Sequence, residues 1–269
     1  MSFYTSLSGL KAAQTDLSVT ANNIANVGSM GFKRSRAEFG DIKPPSSTTA
    51  GIGTRLKGIT QQFTQGNFEA SSRELDLALN GPGFFVTRNA SSGGDTYLTR
   101  AGSMAITSDR YLIDANRNYV QVLPVDASGN LTATDIASAT SLQLPSANSA
   151  GSTLASIDIA QTGVVTATFA DGTTEPLGAV MVANVSNPEG LAEEGNARWS
   201  ITGESGTLTS GVPGTTGLGT VESGVLERAN VDITEELVGL ITAQRNFQAN
   251  AKAIETANAI TQTITNMRT

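Results

Sequence analysis

At 269 residues the chain can bury a sizeable core and form one or two domains. Its formal charge of −7 lacks the surplus cations that general nucleic-acid binding requires, and with neither Cys nor His it offers no thiolate or imidazole metal site, no Cys nucleophile and no His-dependent triad. Aromatic residues make up 5% and charged residues 15%, while Gly, Ser, Thr, Ala and Asn are plentiful, a composition that favours strands and turns.

The opening Met1-Ser2-Phe3-Tyr4-Thr5 has neither a cationic segment nor an apolar stretch, so no Sec-type signal is expected, and no apolar run of roughly 18 residues predicts a membrane span. The first 43 residues are locally basic, with five cations (Lys11, Lys33, Arg34, Arg36, Lys43) against three acids (Asp16, Glu38, Asp41). From residue 3 to 27, Phe3, Leu10, Leu17 and Ile24 recur every seven positions, and Leu7, Ala13, Ala21 and Val27 follow three or four later. That spacing predicts an amphipathic helix with a coiled-coil-type seam, its polar face carrying Lys11, Gln14, Asp16 and Ser18. The helix runs into "NNIANVGSMGFKRSRAEF". There Asn22, Asn23 and Asn26 can bond sideways and compete with the backbone, Gly28 and Gly31 permit a left-handed ending, and Phe32 and Phe39 can dock as the chain leaves.

Residues 43–54, "KPPSSTTAGIGT", read as a linker. From about 55 to 225 the pattern alternates as strands do, in "LDLALN", "GFFVT", "YLIDANRNYVQVLPV", "VVTATF", "AVMVANV" and "ARWSIT". Turn signals at Gly81-Pro82-Gly83, Asp171-Gly172 and Asn187-Pro188 separate them, which predicts an antiparallel sheet region without βαβ units. Residues 203–220 read as a long flexible or extended connection. A second amphipathic helix then opens on Asp232 with Glu235 as a capping box and carries Ile233, Leu240, Phe247 and Ile254 at sevens, with Leu237, Gln244 and Ala251 between. After Ile254 the seam shifts to Ala257, Ile260, Ile264 and Met267.

The expected fold is therefore α+β: residues 1–42 and 226–269 form a terminal helical domain of coiled-coil type, 43–54 a linker and 55–225 a central antiparallel β domain. Seams at both chain ends, remote from the β region, need partners to bury them, and they are expected to stay loose until neighbours do so. Pattern alone leaves open whether they close on each other within one chain or on other copies.

Four further signals point to little chemistry. "DANRN" has Asp114, Asn116 and Asn118 in the style of a calcium loop, but Tyr119 and Val125 stand where Gly and Glu are needed, so it reads as a polar turn. Glu193 and Glu194 are adjacent and point apart, which argues against an acid pair. "GVPGTTGLG" lacks the Lys-Ser/Thr of a phosphate loop. "KRSR" reads as a contact to acidic neighbours or a solvated face. A carboxylate-dependent hydrolase requires two converging acids that no spacing singles out, and an adhesive module would leave the terminal seams superfluous. No catalytic, cofactor or metal site is expected.

The stretch "SGLKAAQTDLSVTANNIANVGSMGFKRSRAEFGD" resembles the N-terminal motif of the bacterial flagellar rod and hook family, and "VLERANVDITEELVGLITAQRNFQANAKAI" resembles that family's C-terminal helix. Between them, "GITQQFTQGNFEASSRELDLALNGPGFFV" and "YLTRAGSMAITSDRYLIDANRNYVQVLPVD" are similar to its inner β domain. The resemblance implies a non-enzymatic structural subunit of a helical tube in the flagellum. It implies that Phe3, Leu7, Leu10, Leu17 and Ile24 pack with Leu237, Leu240, Ile241, Phe247, Ile254 and Ile264 to line the inner wall, and that Asn22, Asn23, Asn26, Gly31, Phe32 and Lys33 form the family motif. Implied partners are further copies of the chain, distal-rod, hook-cap and hook–filament junction proteins and the flagellar export apparatus, with neither nucleic acid nor a membrane span. The location implied is the hook, outside the cell after export through the flagellar channel. Within the family, "MSFYTSLSGL" and the short segment after "FGDI" are hook-like, whereas the chain's length, with little room at 126–160 for an extra outer domain, is rod-like. A torque-transmitting hook subunit is the leading expectation and a distal-rod subunit the alternative.

Overall fold

A computed structural model describes residues 2–42, 51–126, 129, 131–133, 135–215 and 217–267. Part of the expected linker, residues 43–50, lies outside the described residues. The chain divides into two units: Met1–Val27, Lys33–Gln62 and Val231–Thr269 form one, Gly28–Phe32 and Phe63–Asn230 the other.

The first unit holds helix α1 (Ser2–Ala25), helix α2 (Ile233–Asn266) and the antiparallel pair β1 (Ser35–Asp41) and β2 (Thr54–Gln61). At the end of α1, Asn26 donates from both its backbone N (3.1 Å) and its side-chain Nδ2 (3.0 Å) to the carbonyl of Asn22, so the last turn is tied off by its own side chain. The start of α2 is set by Asp232, whose carboxylate accepts from the N–H of Thr234 (2.7 Å) and of Glu235 (3.2 Å). The expected return bond from Glu235 does not form, because its carboxylate turns to Arg34 instead. Residues 55–61, expected in the β domain, pair with β1 and belong with the helices. Among the described residues no helix is long and apolar enough to cross a membrane.

The second unit is all-β among the described residues, apart from one short 3-10 turn. Its strands are β3 (Phe68–Ala70), β4 (Leu77–Asn80), β5 (Phe84–Arg88), β6 (Thr96–Thr99), β7 (Met104–Ile106), β8 (Leu112–Asp114), β9 (Tyr119–Leu123) and β10 (Thr140–Ser141). The chain continues through β11 (Leu154–Ile159), β12 (Val164–Phe169), β13 (Thr174–Val180), β14 (Val182–Val185), β15 (Ala192–Gly195), β16 (Arg198–Ser200), β17 (Leu208–Gly211), β18 (Thr220–Ser223) and β19 (Val225–Glu227). The main sheet runs β11-β12-β13-β9-β5-β6-β16-β15, so β11 and β15 are its ends, while β18 pairs with β4 and β19 with β3.

Strand β5 shows why this sheet is buried on both faces. Phe84 and Val86 join one apolar cluster with Leu98, Met181 and Trp199, and Phe85 between them joins another with Leu79, Met104, Val120 and Val182. A buried ion pair ties the strands where they converge. Arg100 donates to Glu227 (3.2 Å) and to the carbonyls of Leu79 (3.3 Å) and Gly81 (2.8 Å), and Glu227 accepts from the N–H of Gly66 (2.9 Å). One expectation is corrected here. Residues 203–220 are not only connection, since β17 pairs with β14 and Leu208 packs on the core. Within 126–160, where little room for an extra outer domain is expected, Ala139, Leu142 and Leu144 are buried.

Candidate assembly interface

Three close approaches fix how α1 and α2 lie together. A side chain on Gly9 would meet Asn250 at 2.6 Å, Gly239 faces Thr20 at 3.8 Å, and Asn23 donates to Glu236 at 3.2 Å. The residue numbers of each pair add to the same total, as two antiparallel helices in constant register require. The seam between them is thus Gly9, Ala13, Thr20 and Asn23 against Glu236, Gly239, Ala243 and Asn250, of which Ala13, Thr20, Asn23, Glu236 and Ala243 are buried. Small side chains allow the two backbones to approach closely.

A polar knot pins one end of this pair. Asn23 donates to the carbonyl of Ser35 (2.9 Å) and accepts from its N–H (2.9 Å), while Glu236, 3% exposed, forms an ion pair with Arg34, Nε lying 2.6 Å from the carboxylate. Arg34 also reaches Glu235 at 3.1 Å. The Arg34–Glu236 contact is an ion pair onto a buried carboxylate, whereas Glu235 is exposed to solvent. Arg34 of "KRSR" therefore pairs with its own C-terminal helix, and Arg34 and Glu236 hold the helix pair at a point that the sequence reading passed over. No local signal identifies them, because the two partners are 202 positions apart in the chain.

The oily stripes sit elsewhere. Phe3, Leu10, Leu17 and Ile24 each lie one residue after the α1 seam, and Leu237, Leu240, Phe247 and Ile254 likewise keep to the position after the α2 seam. One residue is a rotation of about 100°. In an antiparallel pair such a step on both helices turns both stripes to the same flank. The opposite flank of α1 is covered by the β1–β2 hairpin: Thr54 N–H donates to Ser8 (3.2 Å), Gly53 lies against Ser8, and Val19 and Ala37 are buried there. A groove of about 670 Å³ also lies on that side, lined by Asp16, Val19, Arg36, Phe39, Val238 and Thr242.

The apolar flank is only partly covered. Phe3 (38%), Leu237 (44%), Ile241 (49%) and Ile264 (57%) are exposed, and Leu7, Leu10, Leu17, Ile24, Leu240, Phe247 and Ile254 are half-buried. Ile241 lies off the shared stripe, towards the back of α2. By the same register Ser2 is level with Ala257, so the last turns of α2 extend past α1 with Ile260 and Ile264 bare. The two ends, expected to stay loose in a single chain, pair through small residues and the polar knot without burying their stripes in each other.

The family-motif residues divide in the same way. Asn22 is exposed and Asn26 half-buried at the helix end, and Asn23 is fully engaged inside its own chain. Gly31, with φ of 70°, donates its N–H to the carbonyl of Glu227 (2.8 Å), and a Cβ there would lie 2.5 Å from the nitrogen of Ala101, so only glycine fits. Phe32 and Lys33 are buried. Asp114 of "DANRN" spends its carboxylate on the N–H groups of Asn116 (2.8 Å) and Asn118 (2.7 Å), with desolvation pushing its pKa up. It closes a turn between β8 and β9.

Comparison with known proteins gives three matches along the chain. Residues 3–33 match a family described as "Flagella basal body rod protein", 78–167 the "Flagellar hook protein FlgE/F/G D1 domain", and 222–267 the "Flagellar basal body rod FlgEFG protein C-terminal". The chain is 31% identical to the flagellar basal-body rod protein FlgG of Bacillus subtilis (strain 168) over 283 residues, 99% of this chain and 98% of that protein. It is 32% identical to the FlgG of Borreliella burgdorferi, covering 95% and 94%. To the flagellar hook protein FlgE of Escherichia coli (strain K12) it is 27% identical over 406 residues, which take in all of both chains.

Proposed function

Because this chain belongs to the bacterial flagellar rod and hook family, we propose that it is a subunit of the flagellar hook, assembling with its own kind into a tube through the apolar flank of its paired terminal helices. The relatives and matched domains are structural components of the flagellum, so the chain is a structural protein and not an enzyme.

The observation that carries the assembly reading is the uncovered stripe. A helix pair covered by a hairpin on one flank and carrying exposed or half-buried Leu, Ile and Phe on the other is a layer missing its neighbour. Neighbouring copies supply it, and the stripes then meet across subunits in a coiled-coil-like wall that includes Phe3, Leu7, Leu10, Leu17, Ile24, Leu237, Leu240, Phe247, Ile254 and Ile264, with Ile241 on the back of α2 open to a further neighbour. Export through the flagellar channel, and contacts to rod, cap and junction proteins at the ends of the tube, follow from the same reading. To test it, Leu240→Asp with Phe247→Asp is introduced in the full chain. The expected result is a folded, monomeric protein that no longer sediments as polymer and does not restore swimming. Polymer at unchanged concentration overturns the reading.

The hook assignment is supported by the opening "MSFYTSLSGL" and the short segment between β1 and β2. A distal-rod subunit is the second reading, favoured by the near end-to-end match to FlgG, whereas alignment of this 269-residue chain to FlgE needs 406 positions. Electron microscopy of basal bodies from a deletion strain separates them. A complete rod lacking a curved segment supports the hook; a rod lacking its outer part supports the alternative.

A further inference from the structure

The two units carry opposite charge. The helical unit has ten Lys and Arg against seven Asp and Glu, a net +3, and the β unit seven against seventeen, a net −10. On the helical unit two of the cations, Arg55 and Lys57, lie on one open sheet edge. Strand β2 has, among the described residues, no partner beyond β1, and Arg55, Leu56, Lys57 and Ile59 along it are exposed. Lys57 is the extra residue of a bulge, since Glu38 faces Gly58 while Phe39 faces Leu56.

On the β unit, strand β15 ends the main sheet with Glu193 and Glu194 exposed. Glu189 and Glu204 flank it, and the cation of that segment, Arg198, is taken up over the ring of Tyr97 at 4.7 Å. The strand at the other end, β11, carries one carboxylate, Asp158.

Resting on the assembly reading above, we propose that the β2 edge of one copy pairs with the β15 edge of another, Arg55 and Lys57 meeting Glu193 and Glu194. An edge with unpaired backbone groups and exposed Leu56 and Ile59 is a ready template for a further strand. The charges select which strand. Two β2 edges would bring Arg55 and Lys57 against their own copies, and two β15 edges would oppose carboxylates, both of which are destabilising. Each edge is therefore barred from its like and suited to the other. A contact between two different surfaces of identical chains is heterologous and extends without closing unless its rotation completes a ring, which suits a polymer that also grows through the helix flank.

The chain lacks Cys, so single cysteines report contacts directly. Opposed residues in an antiparallel pair are about 4.5–5.5 Å apart between Cα atoms, within disulfide reach. Full-length Arg55→Cys or Lys57→Cys protein is mixed with Glu193→Cys or Glu194→Cys protein, assembled and oxidised. Cross-links in the mixtures and none within either variant alone are expected. In parallel, Arg55→Glu with Lys57→Glu is expected to slow assembly about tenfold, and copies carrying Glu193→Lys with Glu194→Lys to restore it. Polymers that form normally without cross-links, or with Lys57→Cys linked to itself, overturn the edge contact and leave the helix-flank reading standing. If unaltered protein never polymerises, both fall.

Discussion

At the scale of the residue, the buried charges are the most exacting feature. Glu227 is inaccessible and Arg100 nearly so, and desolvation lowers the arginine's pKa while the carboxylate opposes that shift. Removing one partner of such a pair strands the other charge in a dry site. Glu227→Gln keeps the acceptor for Gly66 but leaves Arg100 uncompensated, and is expected to destabilise the β unit by about 3–5 kcal/mol, read as a lowered denaturation midpoint by tryptophan fluorescence from Trp199. A smaller loss would mean that the carbonyls of Leu79 and Gly81 suffice for the guanidinium. Neither member was legible in the sequence: Arg100 follows an ordinary strand and Glu227 precedes an ordinary loop, and their meeting across 127 positions is tertiary.

At the scale of the element, helix α2 shows how much local sequence can settle. Asp232 was identifiable as a cap from residue type and position, and its carboxylate does accept the first-turn N–H groups. Bonds from the N–H of Glu235 and then Thr234 hold its pKa below the ordinary carboxylate range. For an acid with a depressed folded pKa, the stabilisation is present above the unfolded pKa and is lost as pH falls through the folded one. Acid titration followed by far-UV circular dichroism is therefore expected to reduce helicity, and Asp232→Asn, a cap that does not titrate, is expected to blunt that loss. The heptad pattern was equally readable, yet its meaning was not. Five α2 threonines turn their hydroxyls back to the carbonyl four residues earlier, which leaves methyl groups outward and adds to the apolar character of the bare helix.

At the scale of the whole molecule, the proposed assembly draws on the surfaces left unsatisfied in one chain. The helix flank and the two oppositely charged sheet edges are different patches, so in the proposed polymer each can meet a different neighbour. Sedimentation of concentrated protein is expected to show monomer beside long polymer, without a plateau of closed dimer. A stable dimer at every concentration would mean that the stripes seal in pairs, and would count against both contacts.

By itself the sequence determined that two amphipathic helices bracket a strand-rich middle, where the second helix begins, and which side chains form each oily stripe, because these depend on periodicity and on residues within a turn of one another. The tertiary structure alone decided that the helices meet through Gly9, Ala13, Gly239 and Ala243, that Arg34 and Asn23 lock onto Glu236, and that the hairpin covers one flank and leaves the stripes only partly covered on the other. The physical reason is rotation. A heptad pattern marks a face without saying what it faces, and a step of one residue moves the contact seam by about 100°, onto small residues whose value lies in how closely they let a remote segment approach.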